Sequence, residues 1–141
     1  MYVFVTAIAV ALFLTVSLKF LHVFHLITWN PISFLKNVTY MEWSTFEKWF
    51  VLFLILSVAA VILYFISVTI LGKSPLVFSL ILGIIISVAI EWEVLNLSLK
   101  WSSVKEISIP FVVIVLIALR FVAETAQYNT QTVKENKAVK N

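Results

Sequence analysis

The stretch that decides the fold is Ser74-PLVFSLILGIIISVAIEWEVLNLSL-Lys100. Ser-Pro opens it, an uncharged run from Leu76 to Ile90 follows, and Glu91-Trp92-Glu93 closes the run. On a helix, Ser79, Gly83, Ser87 and Glu91 recur every four residues and share one face. Small residues at that spacing let two helices approach closely inside a bilayer. The row is therefore first a clue to packing, and its last member is a carboxylate at the end of an apolar segment.

Composition extends this reading to the whole chain. Of 141 residues, 62% are apolar and 12% charged, with no Asp and no Cys. Soluble domains carry about twice that charge, so the chain belongs to the membrane class. At about 20 residues per crossing, its length accommodates four spans with short connections. The absence of Cys excludes a disulfide framework and thiol chemistry. A net charge of +3 without a long basic run excludes nucleic acid as a partner. The expected fold is all-α: an integral membrane bundle of four transmembrane helices, with a short interfacial segment between the first and second. Residues 1–126 form one membrane domain.

The first span is expected from Tyr2 to Leu26, with its own small-residue row at Ala7, Ala11 and Thr15, extended by Lys19. His22 lies on nearly the same face. Asn30-Pro31 fits a helix start, but residues 32–43 are too polar to cross and suit the membrane surface. Ser44-Thr-Phe-Glu47 matches a capping box and leads into a second span, residues 48–71, in which Trp49 to Leu71 are uncharged. Gly72-Lys-Ser-Pro75 reads as a tight turn, which predicts spans two and three as antiparallel neighbours. The third span is expected over 75–95. Ser103-Val-Lys-Glu106 offers a second capping box ahead of a fourth span over 104–123, which Pro110 should bend. Residues 127–141 are polar and are expected to be a disordered tail.

Spans one and three run in the same direction, and Lys19 and Glu91 fall at similar depth. The expectation is that the two spans pack along their small-residue rows and that Lys19 and Glu91 meet as an intramembrane pair, with His22 nearby. The alternatives are that the pair only fixes helix register, or that the two side chains reach the headgroups separately. His22 and His25 are too few for a metal site, and no catalytic constellation, cofactor motif or metal motif is present. Trp29, Trp43, Trp49, Trp92 and Trp101 fall at span ends and read as an aromatic belt. Arg120 is also placed at the interface, with Glu124 one turn on as a possible partner.

With four spans both termini lie on one side. Basic residues divide evenly between the two sides, but the Lys-rich tail and the short turn at Lys73 favour termini in the cytoplasm. The expected location is a cell membrane, namely a bacterial inner membrane. The expected function is that of a non-enzymatic accessory, scaffold or regulatory component acting through helix–helix contacts. Its partners would be the lipid bilayer and another membrane protein or a second copy of itself. The alternative is a small oligomeric transporter or channel subunit with a polar path at Lys19, His22 and Glu91.

Overall fold

The computed structural model describes residues 2–34, 42–70, 75–95 and 107–141. Four α-helices organise it: α1 (Tyr2–Val23), α2 (Thr45–Ile70), α3 (Pro75–Leu95) and α4 (Ile109–Val139), with a short 3-10 turn at Pro31–Phe34 after α1. All four are long and apolar enough to cross a membrane. Their outward faces carry large apolar side chains such as Phe4, Leu12, Leu54, Val58, Ile62, Ile81 and Ile85, a surface suited to lipid contact.

α4 is the hub. α1, α2 and α3 each pack against it, and α1 also packs against α2. The reason lies in the sequence of α4, where Phe111, Val115, Ala118, Leu119, Val122, Ala123 and Ala126 are all buried. Large residues crowd its first half and alanines its second. Two clusters result. Ala7, Val10, Ala60, Tyr64, Ala118, Val122 and Ala126 form one, where small side chains let α1, α2 and α4 converge. Leu18, Leu21, Ile27, Trp29, Phe111, Val115 and Leu119 form the other, at the opposite end of the bundle.

The predicted pairing of spans one and three is corrected. Among the described residues, α3 has its interface with α4, and α1 has its interfaces with α2 and α4. The row Ser79, Gly83, Ser87 and Glu91 is buried as one face, but the mate of that face is α4. A Cβ added at Gly83 would lie 2.5 Å from Leu116 Cδ2 and 3.3 Å from Leu119 Cδ1, so the helices are in contact at this point. In the first span, Ala7 and Ala11 are buried and Thr15 donates back to the Ala11 carbonyl at 2.7 Å. That row serves the contacts with α2 and α4. Nor are α2 and α3 packed neighbours: no interface comparable to the others joins them among the described residues, and the turn at 71–74 lies outside those residues.

Four boundaries move. α1 stops at Val23 rather than Leu26. α2 begins at Thr45, fixed by the predicted capping box: Ser44 N–H donates to Glu47 Oε2 at 2.7 Å, and Glu47 N–H donates to Ser44 Oγ at 3.4 Å. α4 starts at Ile109, with Pro110 in its first turn where a missing N–H costs nothing, so no bend is needed. The second capping box, Ser103 to Glu106, lies outside the described residues. α4 then continues to Val139 through the expected disordered tail. Gln, Glu, Lys and Ala are good helix formers, and extending an existing helix avoids the cost of nucleation.

Candidate functional site: a buried carboxylate at the head of α4

Glu91 is the one charged side chain among the described residues that is fully buried. Its position follows from the small-residue row. Gly83 and Ser87 bring α3 against α4, and the next member of the same face is carried to the beginning of α4. There Glu91 Oε2 accepts a hydrogen bond from the Ser108 backbone N–H at 2.7 Å. Ser108 is the N-cap residue of α4, and its own side chain makes no capping bond. In a capping box, a glutamate three residues into the helix accepts from the N-cap N–H. That position here is Phe111, which cannot. Glu91 supplies the acceptor from another helix, at the positive end of the α4 dipole.

The Ser108 hydroxyl is used elsewhere. It donates to the Leu26 carbonyl at 2.9 Å, 82 residues away in sequence. Leu26 is held in place by the way α1 ends. His25 takes a left-handed conformation, φ 55°. Its N–H bonds to the His22 carbonyl at 3.2 Å, while Leu26 N–H bonds to the Leu21 carbonyl at 2.9 Å. Those two bonds around a left-handed residue are the Schellman ending of a helix. Glu91, Ser108 and Leu26 thus tie the ends of α3, α4 and α1 together.

Trp29 completes the site. Its side chain is a polar neighbour of the Glu91 carboxylate and stacks edge-on against Phe111, ring centroids 5.2 Å apart. It is 8% exposed, which corrects its assignment to the aromatic belt: it is a core residue closing over Glu91. Trp43, Trp49 and Trp92 are half-buried, and Trp101 lies outside the described residues.

The Lys19–Glu91 pair does not form. Lys19 is exposed, the ion pair found among the described residues is Arg120–Glu124 at 2.8 Å, and Glu91 is turned toward α4. The backbone of Ser108 meets Glu91 at the interface where the carboxylate already lies, whereas α1 is not packed on α3. His22 is half-buried and His25 exposed. Among the described residues no three His, Asp or Glu side chains converge as metal ligands would. At the other end of the bundle, Asn129 donates to the Tyr64 hydroxyl at 3.0 Å, joining the polar extension of α4 to α2.

Beside this latch lies a cavity of about 400 Å³. Its walls are apolar throughout: Leu14 and Leu18 of α1, Leu52 to Leu63 of α2, Ile86 and Ile90 of α3, and Phe111 to Val122 of α4, with Trp29 and Pro31 at one end. It exists because α2 and α3 both pack on α4 without packing on each other.

Sequence reasoning singled out Glu91 and the row that carries it. It missed Ser108, Leu26 and the inward role of Trp29. Comparison with known protein families, characterised proteins and solved structures finds no match to this chain.

Proposed function

We propose that this chain is a multi-pass membrane protein that acts without catalysis, as an accessory, scaffold or regulatory component, through helix contacts made inside the bilayer. The observation that carries the reading is the state of α2. Of the four apolar helices it is the least buried within the chain, and Phe50, Leu54, Val58, Ile62 and Phe65 form a continuous outward stripe. The spacing of that stripe matches one face of a helix, which is how a partner helix is met in a membrane. Glu91 supports the same reading, because its carboxylate is committed to holding helix ends together. The partner is another membrane protein or a second copy of the chain.

The location that fits is a bacterial inner membrane with both termini in the cytoplasm, which a reporter fused after Asn141 would test. The function is tested by replacing Val58 with a photo-reactive phenylalanine analogue in native membranes. A discrete protein adduct is expected from Val58, and none from the inward-facing Ala60. Only lipid adducts at Val58 would refute the reading.

A further inference from the structure

We infer that the cavity between α2 and α3 is a binding site for one acyl chain of a zwitterionic phospholipid, with the headgroup held at the Trp29 end. This rests on the membrane reading above but not on the existence of a protein partner.

The depth of the cavity selects the occupant. Its α2 wall runs from Leu52 to Leu63 and its α4 wall from Phe111 to Val122. Each covers eleven residue-to-residue rises of helix, or about 16 Å, about half of a ~30 Å hydrocarbon core. That is the reach of one leaflet. A partner helix would need a groove running the full thickness, whereas this one spans a single leaflet and has Trp29 and Pro31 in its lining. The volume is within the range of small-molecule sites. The sides facing out of the bundle are flanked by Ile55 and Ile90, 49% and 36% exposed, so a chain can slide in laterally from the surrounding lipid.

The charges at the Trp29 end complement a phospholipid headgroup. Lys48 lies one turn before Leu52 and on the same face of α2, which puts an ammonium above the cavity on that wall. It is half-buried and in no ion pair among the described residues. Glu93 follows Ile86 by seven residues, about 20° from it around α3. It therefore places a carboxylate on the opposite lip and is exposed. A phosphate beside Lys48 and a headgroup ammonium beside Glu93 satisfy both. The apolar walls give the chain no polar group to desolvate.

The test uses the full-length protein, purified and reconstituted in phosphatidylcholine–phosphatidylethanolamine vesicles doped with a phospholipid carrying a mid-chain diazirine. After irradiation, adducts are mapped by peptide mass spectrometry. Adducts are expected on Leu56, Ala59 and Ile86 in addition to outward residues such as Val58 and Ile85. Ala59→Phe, which fills the cavity, should lower the cavity adducts at least fivefold and leave the outward ones unchanged. Lys48→Glu should lower the cavity adducts severalfold. Should Ala59→Phe fail to fold, the wild-type map decides alone: labelling confined to outward residues overturns the proposal. Equal labelling by an otherwise matched phosphatidylglycerol probe overturns the headgroup assignment. A covalent dimer captured through a photo-reactive group at Ile55 would show a second copy in the cavity and overturn the lipid. Because these vesicles hold no other protein, failure here is distinct from failure to find a partner at Val58 in native membranes.

Discussion

The beginnings of α2 and α4 solve the same problem in two ways. Each leaves backbone N–H groups without helical acceptors. At α2 the solution is local: Ser44 and Glu47 satisfy each other's amides within one turn and in an exposed position. At α4 the N-cap serine turns its hydroxyl away to Leu26, and the missing acceptor arrives from Glu91 on another helix. A local cap can form as soon as its own turn does. The borrowed cap forms only after α3 has docked on α4, so the start of α4 reports on tertiary packing. The cost of losing each cap should differ accordingly, and substitutions can separate them.

The largest effect is expected at Gly83, which lets α3 come close enough for Glu91 to reach. A single added Cβ already meets Leu116 at 2.5 Å. The Leu116 methyl can rotate away from an alanine, but a leucine has to push α3 from α4. Gly83→Leu should cost about 3 kcal/mol or more in denaturant unfolding of bicelle-reconstituted protein, and should remove the Glu91–Ser108 bond with it. Gly83→Ala should be far milder. If Gly83→Leu unfolds like the parent, close approach is not what positions Glu91.

Next comes Glu91 itself. Glu91→Ala leaves the Ser108 amide without its acceptor and an emptied space beside Trp29, at about 2 kcal/mol. Glu91→Gln keeps an acceptor oxygen and should lose roughly half as much. Equal losses for the two would mean that the hydrogen bond accepted from Ser108 is not what carries the effect. A third substitution works in the other direction. His25 holds a left-handed conformation that favours glycine. His25→Gly should stabilise the protein by about 1 kcal/mol while preserving the Schellman ending that presents the Leu26 carbonyl to Ser108. Destabilisation would show that the imidazole contributes a contact of its own.

The two helix starts also explain what could be read in advance. The four apolar segments, the capping box at Ser44 and the buried face of α3 are properties of short windows, and periodicity and local hydrogen bonding expose them. Which helix receives that face is not such a property. Spans one and four both offer small or apolar rows, and the choice of α4 depends on the sum of its contacts with three helices at once. The partner of Glu91 was hidden for the same reason. A backbone N–H has no sequence signature, whereas Lys19 has one, and reasoning from side chains alone favours the visible charge. Trp29 was misplaced because tryptophans at span ends are common at interfaces, and only the fold of residues 24–34 turns this one inward. The helical extension beyond Gln127 was missed because polarity alone does not stop a helix that is already nucleated.

The smallest effect is expected at the local cap. Ser44→Ala removes the acceptor for Glu47 N–H, and the Ser44 amide keeps its bond to the glutamate carboxylate. Both groups are exposed, so water can replace what is lost, and the first turn of α2 frays without disturbing the packed residues below Trp49. The loss should be smaller than that of Glu91→Gln. Hydrogen exchange should speed up at residues 45–47 and leave Ser108 unchanged. Glu91→Ala should do the opposite, speeding exchange at Ser108 and across the first turn of α4 while sparing residues 45–47. If Ser44→Ala also released Ser108, the start of α2 would be coupled to the Glu91 latch, and the local cap would be part of the same tertiary unit as the borrowed one.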